Sequence, residues 1–67
     1  MKRYVIYRTD AQSLKEIYVD TYQSLKSTLI EVTDFLDEAK KFGTAREAYE
    51  WARFRNLDYW HVGARNA

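Results

Sequence analysis

The sequence contains no cysteine, no proline and only two glycines among its 67 residues. The lack of cysteine excludes a disulfide framework and a thiolate zinc site. Because neither proline nor a glycine-rich stretch interrupts the chain, no linker is predicted, and we expect residues 1–67 to form a single small domain. Long apolar runs are also missing, since the longest, residues 4–7, is far shorter than a membrane-spanning helix.

Charge of one sign is not concentrated anywhere in the chain. Lys and Arg number 11 and Asp and Glu number 10, for a formal net charge of +1. A protein dedicated to duplex DNA collects positive charge, because neutralising phosphates supplies most of its non-specific affinity. No basic segment followed by an apolar one indicates secretion. We therefore expect a soluble cytoplasmic domain that binds neither a membrane nor duplex DNA, with single-stranded nucleic acid still a candidate partner.

Catalytic equipment is sparse. The only histidine, His61, lies in a predicted strand with no nucleophilic Ser or Cys near it in sequence, so we expect a partly exposed strand residue and no triad or zinc site. Asp34, Asp37 and Glu38 cluster without the spacing of a calcium loop and are better explained as the acidic first turn of a helix. Neither glycine belongs to a phosphate-binding loop. The chain is predicted not to be an enzyme.

Four segments have the composition of β-strands. Residues 3–7 (RYVIY) are β-branched and aromatic on both alternate faces, and residues 28–33 and 59–63 are short runs of similar character. Residues 16–22 (EIYVDTY) alternate in the same way, but the surrounding apolar positions also fit the helical period, with a helix over residues 14–29 as the alternative. We favour strands because β-branched and aromatic residues are dense here.

Two segments carry helix signals. Residues 44–56 begin with a T-x-x-E capping box made by Thr44 and Glu47, and Asn56 stands near the expected end. Residues 33–42 begin with acids and end with lysines, which suits the helix dipole. The alternative for that segment is an irregular crossing anchored by Leu36, Ala39 and Phe42.

These elements predict an α+β fold, a small mainly antiparallel sheet of three to four strands with the capped helix packed on one face. Residues 64–67 are expected to form a frayed tail. The alternative is a mostly helical domain of three helices, over residues 14–29, 34–42 and 45–56. The two interpretations differ in helix content, which exceeds half of the chain only in the second.

Aromatic residues are abundant, at 16% of the chain, with Tyr 6, Phe 3 and Trp 2. If the helix covers one face of the sheet, strand alternation places Tyr18 and Tyr22 on the other face, where Tyr59 and His61 join them. A face of this kind can stack unpaired bases or bind a protein. It can also be covered, either by residues 34–42 or by a second subunit.

The capped helix supplies a second candidate surface. Its predicted sheet-facing arc consists of Ala45, Ala48, Tyr49 and Ala52. Trp51 lies at the margin of that arc and Phe54 almost opposite it, next to Arg55. Exposed aromatic residues beside arginine have the composition of binding hot spots. The alternative is that Phe54 folds under the helix end against Leu57 and Trp60.

Residues 39–48 (AKKFGTAREA) contain the spacing A-x-x-F-x-T-x-x-E-A. With a short first strand and an aromatic-rich final strand, this segment resembles small uncharacterised accessory proteins of phages and prophages. The resemblance implies a small α+β fold and an accessory role in which the protein binds and inhibits a host protein. It transfers no catalytic residue, and residues 12–33 have no clear counterpart in it.

We therefore expect a phage-like accessory protein in the cytoplasm of a bacterial host. Its partner is predicted to be a host protein, bound and modulated through an aromatic surface that comprises Trp51, Phe54, Arg55, Tyr18, Tyr22 and Tyr59. One alternative is a single-stranded nucleic-acid-binding module that uses the tyrosine-lined sheet face. Another is an obligate homodimer in which the aromatic residues bury one another. No cofactor or metal is expected.

Overall fold

The fold is that of a computed structural model that describes residues 2–24 and 29–66. In chain order the elements are β1 (Lys2–Thr9), β2 (Glu16–Val19), β3 (Val32–Thr33), a 3-10 turn (Leu36–Glu38), α1 (Ala45–Phe54) and β4 (His61–Asn66). The strands form one antiparallel sheet in the order β3-β2-β1-β4. The predicted α+β class is confirmed, and the three-helix alternative is wrong.

β1 is the inner strand that pairs with both β2 and β4. It pairs with β4 over six successive positions, from Lys2 opposite Asn66 to Tyr7 opposite His61. Its pairing with β2 covers only Tyr7 to Thr9. The sheet core therefore rests mainly on contacts between residues that are far apart in sequence.

Toward the start of β1, before Tyr7, β1 and β2 separate and the segment that follows the 3-10 turn lies between them. The backbone N–H groups of Tyr4 and Phe42 each donate to the carbonyl of the other, at 2.9 and 2.8 Å. On the other side, the N–H of Lys40 donates to the carbonyl of Val19 at 2.8 Å. These bonds satisfy backbone groups that a continuous β1–β2 ladder would have satisfied.

α1 has the ends that its sequence predicts. The hydroxyl of Thr44 accepts from the N–H of Glu47 at 3.2 Å, as a helix N-cap does. At the other end Asn56 has a positive φ of 58°. The N–H of Leu57 donates to the carbonyl of Ala52 at 3.0 Å and that of Asn56 to Arg53 at 3.1 Å, which together form a Schellman motif.

Several predicted bounds need correction. The segment over residues 33–42 is not a helix but the irregular crossing that was its alternative. It contains a single 3-10 turn, because most of its backbone hydrogen bonds join it to β1, to β2 and to Thr21. The predicted tail over residues 64–67 is wrong, since β4 extends to Asn66 along a β1 that begins at Lys2. The predicted strand over residues 28–33 is seen at Val32–Thr33, and its first residue lies outside the described part of the chain.

The sheet is buried on both faces, by different means. On one face α1 packs its Ala48 and Ala52 against a cluster that contains Ile6, Val19 and Phe42. On the other face the crossing segment, residues 35–42, places Leu36 and Ala39 over a smaller cluster that contains Val5, Tyr7 and Tyr18. The first is called the helix face below and the second the crossing face.

The β1–β2 hairpin turns through a polar loop. The carboxylate of Asp10 accepts hydrogen bonds from the hydroxyl and the backbone N–H of Ser13, at 2.7 and 3.1 Å. These bonds favour the ionised carboxylate and lower the pKa of Asp10. The polar break expected between the first two strands is thus a turn held by a local side-chain cap.

Candidate functional site

Trp51 connects the core to the surface. It is half-buried on α1, and its ring lies 6.0 Å from that of Phe42, at an interplanar angle of 57°. Two cations lie against the indole, with the Nζ of Lys40 5.5 Å and the Cζ of Arg55 4.8 Å from the ring centroid. Such contacts orient an aromatic ring and contribute about 0.5–1 kcal/mol each where solvent reaches them.

Phe54 extends this aromatic surface outward. It is the last residue of α1, one turn beyond Trp51 on the same flank of the helix, and 84% of it is exposed. The alternative in which Phe54 folds under the helix end is wrong, because Leu57 and Trp60 pack against the helix-face cluster without it. The Schellman turn explains this, since it directs the chain away from Phe54 toward the sheet.

A shallow open depression joins these side chains. It is lined by Phe42, Glu47, Glu50, Trp51, Phe54 and Arg55 and is called the Trp51–Phe54 surface below. Its apolar floor is bordered by both acidic and basic groups. An aromatic centre with a mixed polar rim is the arrangement found in protein–protein interfaces. The structure therefore brings together Trp51, Phe54 and Arg55, as the sequence predicts.

Tyr49 lies elsewhere. The sequence placed it in the buried arc of the helix, but 60% of it is exposed. The buried stripe runs through Ala48 and Ala52 and is turned toward Trp51, because Trp51 packs on Phe42. Trp51 lies two positions after Tyr49 in the sequence, which puts the two residues about 160° apart around the helix. Tyr49 is thus outside the Trp51–Phe54 surface.

The tyrosines of the second predicted surface are not brought together. Tyr18 is only 9% exposed and packs with Ala39 and Leu36 on the crossing face. Tyr22 and Tyr59 are exposed. The strand register puts them at opposite ends of the sheet, with Tyr22 beyond the end where β1 begins and Tyr59 beside the end where β1 finishes.

Burial of Tyr18 also affects its chemistry. Removal of the phenol from water disfavours the phenolate and raises the pKa of Tyr18, and the nearby carboxylate of Glu16 raises it further. A buried, neutral tyrosine whose ring is covered cannot stack on a base from solution. For Tyr18, the structure therefore agrees with the alternative interpretation, in which residues 34–42 cover this face of the sheet.

A polar network on the crossing face was not predicted. The Nε and Nη2 of Arg65 lie 3.0 and 2.9 Å from one carboxylate oxygen of Glu16, and the guanidinium carbon lies 4.5 Å from the centroid of the Tyr7 ring. Tyr7 in turn contacts the ring of His61, at 5.6 Å. The single histidine is thus an exposed strand residue packed on a tyrosine.

Sequence reasoning assigned other roles to Phe42, which lines the Trp51–Phe54 surface, and to Lys40, whose Nζ lies against the Trp51 ring. Both lie within residues 39–48, but only Phe42 occupies a fixed position of the A-x-x-F-x-T-x-x-E-A spacing. Their position depends on the hydrogen bonds that residues 39–42 make with Tyr4 and Val19, which no local pattern reveals.

Within residues 2–24 and 29–66, no group of three or more His, Asp or Glu side chains is placed to hold a metal ion. No helix in the same part of the chain has the length and apolar character needed to cross a membrane. Comparison with protein-family models, curated proteins and solved structures gives no match.

Proposed function

We propose that this protein binds another protein through the Trp51–Phe54 surface and modulates that partner by occupying part of its surface. The observation that carries the proposal is Phe54, a large apolar side chain held 84% exposed at the end of a well-capped helix, beside Trp51 and Arg55. Trp and Arg are among the residues that dominate binding energies.

Burial of Phe54 in a partner would contribute substantially to affinity. Complete removal of a phenylalanine side chain from water is worth about 1.5–3 kcal/mol. Trp51 is already ordered by Phe42, Lys40 and Arg55, so little side-chain entropy is lost when a partner covers it. The surface is thus partly preorganised, because the exposed Phe54 lies next to a Trp51 that its neighbours already hold in place.

The charges of this surface favour a protein over a nucleic acid. Glu47 and Glu50 line the depression together with Arg55. Carboxylates repel phosphates, whereas a mixed rim matches the polar edge of a protein interface. The nucleic-acid alternative stays a prediction that relies on tyrosines which the fold separates.

The nature of the partner comes from the sequence resemblance. A host protein in the cytoplasm of a bacterium, inhibited by occupancy, is the partner that the pattern of residues 39–48 implies. Neither the cell type nor the inhibition follows from the geometry of the surface, and both stay predictions.

A matched pair of variants tests the proposal. Tagged wild-type protein, Phe54→Ala and Phe35→Ala are used to capture partners from a bacterial lysate, with and without nuclease. Phe35 is a suitable control because it is also an exposed phenylalanine, 62% accessible, and does not line the Trp51–Phe54 surface. Partners are identified by mass spectrometry, and the affinity of a purified candidate is then measured by calorimetry.

We expect one nuclease-resistant protein that wild type and Phe35→Ala capture equally and Phe54→Ala binds about tenfold or more weakly. Equal capture by both variants would show that the surface is wrongly assigned. Capture that disappears with nuclease would favour the nucleic-acid alternative instead.

A further inference from the structure

The outer edge of β4 has no partner strand in the part of the chain that the structure describes, residues 2–24 and 29–66. β4 is six residues long and pairs with β1 without interruption, so it contains no bulge. An exposed strand edge presents a row of unpaired N–H and C=O groups that can pair with another strand. The other edge strand, β3, has only two residues and offers little by comparison.

The register shows which backbone groups β4 turns outward. Tyr4 uses its N–H and C=O on Phe42, on the side away from β4. Its partner in β4, Ala64, therefore forms a non-hydrogen-bonded pair with it and points its own backbone groups outward. By alternation Val62 and Asn66 do the same. The outer edge thus carries the N–H and C=O groups of three residues.

Most of the usual protections of an edge strand are missing from β4. It contains neither proline nor lysine, and its one charged side chain, Arg65, is bound to Glu16 across the crossing face. Gly63 leaves room for the Arg65 side chain on the crossing face. A Cβ at position 63 would lie 2.8 Å from both the Nη1 of Arg65 and the ring of Tyr7. The charge of Arg65 is therefore paired with a carboxylate on the crossing face, and only its Nη1 reaches the edge, at the carbonyl of Ala64.

An unassigned aromatic residue lies on the same side of the molecule. α1 packs over β1 and β4, and its Trp51 flank faces Phe42, which bonds to the side of β1 away from β4. Tyr49, about 160° around the helix from Trp51, therefore lies on the flank toward β4. Its exposed ring is placed to add apolar contact beside any strand that joins β4.

We infer that β4 pairs antiparallel with β4 of a second copy of this chain, about a two-fold axis at Ala64. In this register Ala64 lies opposite Ala64 of the other copy, and Val62 lies opposite Asn66. Arg65 then faces the small Gly63, whereas a shift that centres the pair on Arg65 would oppose two arginines. The carbonyl of Ala64, which accepts from Nη1 of Arg65 at 2.8 Å, keeps a second lone pair for the new strand.

A second copy fits this edge because the outward N–H and C=O groups of Val62, Ala64 and Asn66 are arranged symmetrically about Ala64, so an antiparallel copy can pair with all of them. Specific interfaces bury roughly 1,200–2,000 Å². A six-residue strand supplies only part of that area, and the two symmetry-related helices with Tyr49 supply more. The inference does not depend on the proposed function, because the Trp51–Phe54 surface lies on the other flank of α1 and stays exposed in the dimer.

Two variants that introduce opposite charges at Ala64, on the proposed two-fold axis, test this inference. Ala64 is exposed and its backbone does not bond to β1, so Ala64→Lys and Ala64→Glu leave the fold intact, which circular dichroism verifies. Sedimentation velocity then measures association of each protein across a wide range of concentration. Like charges would stand opposite each other in each variant, and opposite charges in an equimolar mixture of the two.

We expect wild type to dimerise with rising concentration, each variant to associate about tenfold more weakly, and the mixture to regain dimers. Tyr49→Ala is expected to weaken the dimer as well, while Phe35→Ala leaves it unchanged. A wild-type protein that stays monomeric at every concentration would overturn the inference. So would variants that associate as wild type does, or a mixture no more dimeric than its components.

Discussion

The two faces of the sheet are covered in contrasting ways. The helix face is closed by a regular element with a side-chain cap at its start and a Schellman motif at its end. The crossing face is closed by residues 35–42, which contain one 3-10 turn and bond mainly to neighbouring strands. A regular element brings its own hydrogen bonds and can leave side chains such as Phe54 outside the core, whereas an irregular one depends on its contacts with the sheet.

The position of the candidate binding surface follows from this contrast. The Trp51–Phe54 surface forms where the two coverings meet, since Phe42 ends the crossing segment and Trp51 belongs to α1. The crossing face, by comparison, buries Tyr18 and leaves no continuous tyrosine platform. The following predictions test how differently the two faces support the fold.

The largest difference is expected between neighbouring core residues that point to opposite faces. Ile6 and Val5 are both fully buried, the first in the helix-face cluster and the second in the crossing-face cluster. Ile6→Ala is expected to cost about 3 kcal/mol in the free energy of unfolding and Val5→Ala about 2 kcal/mol. Urea unfolding measures both, and a larger loss for Val5→Ala would reverse the ranking of the two faces.

Gly63→Ala is expected to disturb only the crossing face. The new methyl group would lie 2.8 Å from the Nη1 of Arg65 and the ring of Tyr7, so the guanidinium must leave its position. We expect a loss of about 1 kcal/mol, although alanine is otherwise favoured over glycine in a strand. In an Arg65→Ala background the same substitution should cost less, because only the close contact with the Tyr7 ring remains. An equal cost in both backgrounds would show that Arg65 is not what the glycine accommodates.

On the helix face, Thr44→Ala removes the side-chain acceptor of the N–H of Glu47. The expected loss is about 1 kcal/mol in the free energy of unfolding, the typical value for an N-cap. Hydrogen exchange should show faster opening of the first turn of α1. Thr44→Ser keeps a hydroxyl and serves as the control, so similar losses in the two variants would argue against the cap as the cause.

The smallest effect concerns pH and belongs to the crossing face. Burial raises the pKa of Tyr18 in the folded protein above its ordinary value of 10.0. The folded state therefore binds the phenol proton more tightly than the unfolded chain, and this stabilisation is present below about pH 10 and lost as the pH rises through the folded pKa. Tyr18→Phe should flatten the alkaline decrease in stability, measured by urea unfolding from about pH 9 to about pH 11. An unchanged decrease would contradict the assignment.

The same contrast explains which parts of the fold were predictable. The limits of α1 depend on local signals, the T-x-x-E box and an asparagine that readily adopts positive φ. β1 is dense in β-branched and aromatic residues. The helical period also puts Phe54 on the side of α1 away from the alanine stripe. The exposed position of Phe54, one of the two aromatic residues of the candidate site on α1, could therefore be predicted from the sequence.

The remaining features depend on partners that are distant in the chain. Residues 33–42 have a helical distribution of charge, but bridges from Ala39 to Asp20 and from Phe42 to Tyr4 outweigh it. The last residues of β4 are polar, so the sequence predicts a frayed tail there. Their pairing with β1, which no local pattern reveals, makes them part of a strand. The bond from Arg65 to Glu16 spans most of the chain and leaves no local pattern at either residue.

The pairing of β1 with β4 has a consequence for how the chain acquires its structure. Lys2 pairs with Asn66, so the strand made first completes its hydrogen bonds only with one made much later. Closing so long a loop costs entropy before the pairing compensates for it, which slows folding. Until β4 arrives, the apolar side chains of β1 stay open to solvent and to other chains. Folding of the sheet is therefore completed only after β4 has been synthesised.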